Sequence, residues 1–401
     1  MKQLFRNLGI AVVSMVVFVG WGCAREEEPN EEVRSDDGRI VLCDSVIFRE
    51  QRIYAPGDYG SRNYRIPALV ALEDGTLVMA NDKRKYNEGD LPEDIDIVVR
   101  RSCDQGKTWS DPVTIAKGTG RKHGYGDPAL VECENGDLLC MFVGGNGLWA
   151  STEADPIRSY VCRSKDGGVS WSSPEEITEV LWGSKSENEV TRNYKASFFG
   201  SGNGLCLKRG AHKGRVMVVA AMCRKGENVL DNFVVYSDDN GESWKVSDMA
   251  YRGGDEAKVI ELVDGRVLMS VRQSGARGKN VSADGGETWG SQSRWSELST
   301  NACNGDLLRV SATDCGGECN ILMHSLPNSM ERENVSVWVS YDEGESWQFG
   351  RRLVEGPSAY SSLTMQRNGT IGAYVEKSGS GACELWYQNF SLPWVLTEND
   401  R

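Results

Sequence analysis

Histidine is scarce in this chain, since only His123, His212 and His324 occur in 401 residues. None of the three is spaced with cysteines in the way that zinc sites require, so we predict neither a metal site nor a cofactor. A basic surplus is missing as well, because the net charge is −13 and no basic stripe stands out. This balance argues against nucleic acid as a partner, because lysine and arginine must neutralise its phosphates.

Long apolar runs are also few. The run over residues 8–19 is too short to span a bilayer comfortably and is typical of a signal-peptide core. Small residues before Cys23 resemble the cleavage site of bacterial lipoproteins, although simple secretion is the alternative. We therefore expect residues 1–23 to be a signal peptide and Cys23 to carry the only membrane anchor, followed by an acidic tether over residues 24–43. The protein is then exported, to the periplasm or the outer surface of a Gram-negative cell.

No segment shows a sustained helical period, whereas one turn pattern recurs five times. The pattern is Ser-x-Asp-x-Gly-x-x-Trp, and each copy follows a stretch rich in β-forming residues. Because Asp bonds its own backbone and Gly accepts a positive φ, the pattern predicts a tight turn on which the Trp packs. We interpret it as a structural clip and not as a catalytic site. The five copies begin at Ser102, Ser164, Ser237, Ser282 and Ser340.

Apolar stretches joined by Asp-Gly or Asn-Gly turns alternate with these clips. Each such hairpin, with the strands around the next clip, supplies about four short strands, which is the content of one propeller blade. We therefore predict an all-β, six-bladed β-propeller over residues 44–401, with Asp44–Arg49 as the outer strand that closes the ring. A β-sandwich with repeated hairpins is the alternative. The blades are predicted to begin near Ile66, Ala129, Gly204, Lys258, Asp306 and Ser361.

The twelve cysteines include two closely spaced pairs. Cys133 and Cys140 flank an Asn-Gly turn, and Cys315 and Cys319 flank a Gly-Gly turn. Either pair could form a disulfide in an oxidising compartment. The pairing stays open at this point.

Four arginines lie at strand ends that should face the central channel. Arg65 opens the first blade, Arg84 follows its second strand, Arg272 follows a later strand, and Arg332 lies in a loop before another. Guanidinium groups gathered in one channel repel each other unless they bind an anion, and their fork matches a carboxylate. For any one of these arginines taken alone, the alternative interpretation is a surface residue that is solvated or forms an ion pair.

Several of these segments resemble the sialidases, the glycosidases that release sialic acid. Tyr64-Arg65-Ile66-Pro67 resembles the arginine–isoleucine–proline motif of that family, and the five clips resemble its Asp boxes. The similarity runs from about residue 60 to 380 in family order, although Tyr64 replaces the commoner Phe and the loop at residues 87–94 is ambiguous in length. The other matching segments contain Glu256, Arg272, Arg332 and Tyr360.

The resemblance implies a binding site for the carboxylate of a terminal sialic acid. Arg65, Arg272 and Arg332 are implied to hold it, with Arg84 assisting. Asp127 is a further candidate that could face the sugar, and a structural turn is an equally good interpretation of it. Sialylated glycans are thus the expected partners.

The resemblance also implies the reacting groups of a retaining exo-α-sialidase. Tyr360 is implied to be the nucleophile and Glu256 its base, because a phenol with a pKa of about 10 needs one. A neutral tyrosine avoids the repulsion that a carboxylate nucleophile would meet at this substrate. Asp90 is the predicted general acid and then base, with Asp94 and Asp96 as rivals.

Three alternatives stay open. The same fold could transfer sialic acid to another sugar or form an anhydro product. It could also act on a related acidic sugar, or it could bind sialylated glycans without catalysis.

Overall fold

Six sheets carry nearly all of the regular structure, and their strands pair antiparallel except for a short parallel pairing in the second blade. The computed structural model describes residues 40–300, 302–378 and 382–397, so the predicted signal peptide, Cys23 and residues 24–39 of the predicted tether lie outside the described residues. The described part contains no helix with the length and hydrophobicity to cross a bilayer. Its helices are α1 (Thr178–Leu181) and α2 (Leu392–Leu396), with short 3₁₀ turns at Asp58–Gly60, Leu148–Ala150, Thr191–Asn193 and Thr313–Cys315.

The strands follow one another around the ring, blade by blade. β1 (Phe48–Tyr54) belongs to the sixth blade. The first blade is β2 (Asn63–Ala71), β3 (Leu77–Arg84), β4 (Ile95–Ser102) and β5 (Val113–Ala116); the second is β6 (Tyr125–Glu132), β7 (Leu138–Gly145), β8 (Ile157–Ser164) and β9 (Glu175–Glu176). The third starts with β10 (Tyr194–Phe199), passes β11 (Gly202–Asn203), which pairs with β6, and continues with β12 (Leu205–Cys206), β13 (Val216–Arg224), β14 (Leu230–Ser237), β15 (Lys245–Val246) and β16 (Tyr251–Arg252).

The last three blades are more regular. The fourth is β17 (Ala257–Glu261), β18 (Val267–Val271), β19 (Gly275–Ser282) and β20 (Ser293–Thr300), and the fifth is β21 (Asp306–Ser311), β22 (Ile321–Pro327), β23 (Val335–Ser340) and β24 (Gln348–Arg352). The sixth is β25 (Ser358–Met365), β26 (Ile371–Ser378) and β27 (Cys383–Phe390), completed by β1. The predicted all-β class and the six-bladed propeller are confirmed.

The core consists of apolar layers between neighbouring blades. Strand residues alternate between the two faces of a sheet, so each central strand contributes to the layers on both sides. Val78 of β3, for example, packs toward the second blade, whereas Leu77 and Met79 pack toward the sixth. Burial is therefore spread around the ring, and the central channel is left for polar side chains.

The repeated turns are joints between blades. In the first, Ser102 Oγ donates to Asp104 Oδ1 (2.7 Å) and accepts from the Gly106 amide (2.8 Å), as the structural interpretation requires. Gly241, in the third copy, has a φ of 84°. A Cβ there would come within 2.6 Å of Leu139 on the preceding blade, so only glycine fits the joint.

The ring closes through the sixth blade, as predicted, but with a different strand. β1 pairs with β27 from Phe48↔Phe390 to Tyr54↔Leu385, so only two residues of the predicted segment Asp44–Arg49 take part. The residues before β1 cross the β25–β26 turn, where the Cys43 amide donates to the Gly369 carbonyl (3.1 Å). Because β25 runs from Ser358 to Met365, this turn lies at the end of the ring remote from the start of β25.

The third blade starts about ten residues earlier than the sequence pattern predicts. Its innermost strand is β10, not a strand at Gly204. After β10 the chain crosses to the second blade as β11, and only β12 returns to pair with β13. The predicted start at Gly204 therefore marks the end of an interruption in the strand.

The two candidate disulfides are not formed. Cys133 and Cys140 are buried free thiols, and Cys315 and Cys319 are exposed ones. Cys133 packs in the layer between the second and third blades, whereas Cys140 packs in the layer between the first and second. The two side chains thus lie on opposite faces of one sheet.

Candidate active site

Three innermost strands place a polar side chain at the same position. Arg65, Asp127 and Tyr360 are each the third residue of their strands β2, β6 and β25. In each strand the pairing with the neighbouring strand changes register at or just after this third residue, as in a β-bulge. Such irregularities change the direction in which side chains point. Asp127 has a φ of 60°. The three strand starts therefore open onto one end of the channel.

Tyr360 is buried beneath this end, and its hydroxyl meets Arg272. Arg272 Nη1 donates to Tyr360 Oη (2.9 Å) and to Glu256 Oε2 (2.5 Å). Among the contacts of the described residues, none joins the Tyr360 hydroxyl directly to Glu256. Burial, followed by the charge of Glu256, outweighs the arginines and raises the pKa of Tyr360 well above its ordinary value. Tyr360 is therefore a neutral phenol here.

Arg65 is held by a carboxylate that the sequence reasoning missed. Glu376 on β26 is fully buried and accepts from Arg65 Nε (3.1 Å) and Nη2 (3.0 Å). It also accepts from the amides of Ile66 (2.9 Å) and Tyr360 (3.2 Å). Burial opposes its ionisation, but Arg65 and these amides prevail, so the pKa of Glu376 lies below its usual value. Glu376 thus fixes both a guanidinium and the backbone at Tyr360.

Arg332 completes a set of three guanidinium groups around Tyr360. Its Cζ lies 5.5 Å from the centre of the Tyr360 ring, and that of Arg65 lies 5.0 Å from it. Arg332 is exposed, and within the described residues it has no carboxylate partner. A cavity of about 260 Å³ is lined by Arg65, Arg332, Ala359 and Glu376, among others.

Arg84 occupies a different position from the other three. Its Nη2 lies 2.9 Å from Asp82 Oδ2 and 2.7 Å from Asp90 Oδ1, and its Nη1 donates to the Glu88 carbonyl (2.7 Å). Arg84 therefore holds the loop that carries Asp90, through one ion pair and one hydrogen bond. Its predicted assistance in holding the substrate carboxylate stays a prediction.

Asp90 is the exposed carboxylate of this loop, with 77% of its side chain accessible. Desolvation works against its ionisation, but Arg84, Arg65 and Arg332 outweigh it and lower its pKa. The rivals Asp94 and Asp96 both lie 2.8 Å from Lys85 Nζ and are largely buried. Of the three, Asp90 is the one paired with Arg84, and Glu88 of the same loop lines the cavity.

The backbone of Asp127 is hydrogen-bonded to Asp82, the carboxylate that also pairs with Arg84. The Asp127 amide donates to Asp82 Oδ1 (3.0 Å). Burial and the neighbouring charges of Asp82, Asp90 and Glu256 raise the pKa of Asp127 well above its ordinary value. Asp127 thus lies within the strand β6 at its irregularity and not in a turn, with the charges of other site carboxylates nearby. Its contact with the sugar stays a prediction.

The structure thus brings together all eight residues singled out from the sequence, although it does not test their roles. It adds Asp82 and Glu376, which hold the arginines. Over residues 40–300, 302–378 and 382–397, no group of three His, Cys, Asp or Glu side chains could bind a metal ion.

Known proteins resemble this chain over most of its length. A family model described as a BNR repeat-like domain matches residues 68–373. A sialidase of Micromonospora viridifaciens is 31% identical over 366 residues, which is 87% of this chain and 54% of that protein. A sialidase of Bacteroides fragilis (strain YCH46) is 28% identical over 372 residues, 85% of this chain and 66% of that protein. The chain therefore spans between about half and two thirds of these two relatives.

A solved structure extends the likeness to the fold. The structure titled Hadza microbial sialidase Hz136 matches with a TM-score of 0.76 and 26% identity. The match covers 86% of this chain and 69% of that one.

Proposed function

The chain belongs to the family of proteins with a BNR repeat-like domain, and from that premise we propose that it is a retaining exo-α-sialidase acting on sialylated glycans. The observation that carries this proposal is the convergence of Arg65, Arg272 and Arg332 on Tyr360 at one end of the channel. The sialidase relatives support the same activity.

The arginines keep free donors for a substrate carboxylate. Arg65 uses Nε and Nη2 on Glu376, and Arg272 uses Nη1 on Glu256 and Tyr360. Arg272 Nε lies 3.3 Å from Asp255 Oδ2 but makes no hydrogen bond. Among the described residues, Arg65 Nη1, Arg272 Nη2 and the whole Arg332 guanidinium make no hydrogen bond. A carboxylate can accept from all three arginines, and each charge-assisted bond contributes about 1.5–3 kcal/mol.

Tyr360 is the nucleophile in this proposal. Its proton passes to Glu256 as the Oη attacks the anomeric carbon, and the same nitrogen of Arg272 stabilises both the forming phenolate and the acceptor. Because burial keeps the free phenol neutral, the proton leaves together with the attack and not before it. The glycosyl–tyrosine bond formed in this way is then cleaved by water.

Asp90 is the acid and then the base. It is held by Arg84 in the loop whose Glu88 lines the cavity, and it gives a proton to the departing oxygen before it activates water. Two displacements at the anomeric carbon give net retention.

The proposal is tested with a fluorogenic N-acetylneuraminic acid glycoside and NMR of the first product formed. We expect turnover from mildly acidic to neutral pH and release of the α-anomer of sialic acid. A sialylated acceptor or an anhydro sugar would point instead to transfer or intramolecular attack. Binding of the sugar without turnover would favour the non-catalytic alternative, and no turnover and no binding would refute the proposal.

Asp90→Asn should have an effect that depends on the leaving group. With 3′-sialyllactose, whose alcohol leaving group needs a proton, kcat/KM should fall by about 10²–10⁴-fold. With a nitrophenyl or methylumbelliferyl glycoside, formation of the intermediate should change far less. Asp94→Asn, in the same loop but paired with Lys85, is the matched control. Equal losses on both substrates would exclude Asp90 as the acid.

The same carboxyl sets an expected pH dependence. In the free protein Arg84, Arg65 and Arg332 lower the pKa of Asp90. As the pH rises through this lowered pKa, Asp90 loses the proton that it would donate, so kcat/KM for sialyllactose should fall. A bound carboxylate offsets part of the arginine charge and raises the pKa of Asp90 in the complex. The falling limb of kcat should therefore lie at higher pH than that of kcat/KM.

A further inference from the structure

Arg277 is a completely buried arginine with no counter-ion. It lies on β19 with 0% of its surface exposed. Its Nε donates to Ser270 Oγ (2.8 Å) and its Nη1 donates to the Cys303 carbonyl (2.8 Å). Its Nη2 has no hydrogen-bond partner, and no carboxylate among the described residues lies within ion-pair distance of it. The proposed mechanism does not use this charge.

No described group forms an ion pair with Arg277, and the charges of Glu256 and Asp255 attract it only from beyond ion-pair distance. Ser270 Oγ also contacts His324 Nε2 (2.8 Å). Burial, and then the Arg277 charge, lower the pKa of His324 well below its ordinary value, so the imidazole is neutral. Burial and the nearby Arg272 lower the pKa of Arg277 itself to about 10, which still leaves it charged at neutral pH.

Another buried arginine shows how the fold usually treats such a charge. Arg215 is 3% exposed and lies 2.7 Å from Asp238 and 2.8 Å from Glu287. A buried ion without a partner is destabilising, and replacing it with an apolar side chain of similar size relieves that cost. Departures of this kind from ordinary packing rules are expected at functional sites.

The position of Arg277 indicates which function. Ser270, which accepts from Arg277, lies two residues before Arg272. The carbonyl that Arg277 holds belongs to Cys303, whose side chain packs in one cluster with Ile66, Ala359 and Tyr360. Arg277 therefore lies directly behind the guanidinium and the phenol of the candidate active site.

We propose that Arg277 is a positioning residue whose unpaired charge adds to the positive potential at the substrate-carboxylate site and whose hydrogen bonds fix the loop beneath Tyr360. The inference rests on the proposed function, because it assigns the charge to an anionic substrate. Arg277 acts through Arg272 and the Cys303 loop and does not touch the substrate.

The test compares binding of a charged and an uncharged ligand by calorimetry. The ligands are 2,3-didehydro-2-deoxy-N-acetylneuraminic acid and its methyl ester. In Arg277→Met the Kd of the acid should rise about tenfold, the effect of one unit charge at a distance on the order of 10 Å and an effective dielectric constant of about 20. The Kd of the ester should stay within about twofold of wild type. Equal weakening of both ligands would mean a purely structural role and would overturn the proposal.

Thermal unfolding supplies an independent readout. Arg277→Met should change Tm by no more than about 2 °C, because removal of an unpaired buried charge offsets the loss of its two hydrogen bonds. Arg215→Met should lower Tm by more, because it breaks the ion pairs with Asp238 and Glu287. A fall in Tm for Arg277→Met as large as that for Arg215→Met would contradict the inference.

A second variant guards against a folding failure. Arg277→Lys keeps the charge and should retain the wild-type preference for the acid over the ester, and loss of that preference would overturn the proposal. If the wild-type protein binds neither ligand, the proposed function fails. The two Tm shifts still decide in that case whether Arg277 is an unpaired charge that destabilises the fold.

Discussion

Tyr360→Phe should lower kcat on the fluorogenic sialoside by at least about 10³-fold, while the Kd of the didehydro sialic acid analogue stays within a few-fold of wild type. The change removes a single oxygen atom. The ring stays in place over Ile66 and Ala359, and Arg65, Arg272 and Arg332 keep their positions for the ligand carboxylate. What is lost is the atom that attacks in the proposed mechanism, and with it one of the two acceptors of Arg272 Nη1.

Tyr374→Phe is the matched control for this change. Tyr374 is also fully buried in the sixth blade, and its hydroxyl bonds Asn81 Oδ1 (2.9 Å) outside the candidate active site. Its loss should cost stability and leave kcat unchanged. Near wild-type turnover of Tyr360→Phe would remove the nucleophile assignment, and a comparable loss in both variants would indicate general damage to the blade.

Glu256→Gln should lower kcat by about 10²–10⁴-fold, the range typical of losing a general base. The amide keeps the shape of the side chain and can still accept from Arg272, but it cannot take the phenol proton. Because the substrate carboxylate is held by arginines, KM should change much less than kcat. Steady-state kinetics on the aryl sialoside separate the two effects.

Glu261→Gln provides the comparison for Glu256. Glu261 is the last residue of β17, the strand that begins directly after Glu256, and it pairs with Arg209 (2.9 Å). Its replacement should weaken that ion pair without changing kcat. If Glu256→Gln turned over at the wild-type rate, another group would have to receive the proton of Tyr360.

The blades were predictable because each repeats a local signal. The clip after the third strand depends on Ser, Asp and Gly within five residues, and the hydrogen bonds at Ser102 and Asp104 are those that the spacing requires. The start of the third blade was not predictable in this way. Its innermost strand β10 is separated from β12 by the crossing to the second blade, and a pairing across blades leaves no local pattern.

The site residues divide in the same way. Arg65 and Tyr360 stand at strand starts beside recognisable motifs, and in a propeller such starts meet at one end of the channel. Asp82 and Glu376 instead lie within the strands β3 and β26, where no recognised motif marks them. Asp82 gains its role only by pairing with Arg84, and Glu376 only by pairing with Arg65. Arg65 and Glu376 lie far apart in the chain, so nothing in the sequence indicates their contact.

The contact between the Cys43 amide and the Gly369 carbonyl also determines at which end of the channel the chain enters the ring. The polypeptide enters the ring at the end remote from Tyr360, so anything that holds the residues before Ile40 pulls on the far side. The opening of the channel beside Arg65, Arg332 and Tyr360 therefore lies at the opposite end from the point where the chain enters, and it stays free of the residues that lead into β1.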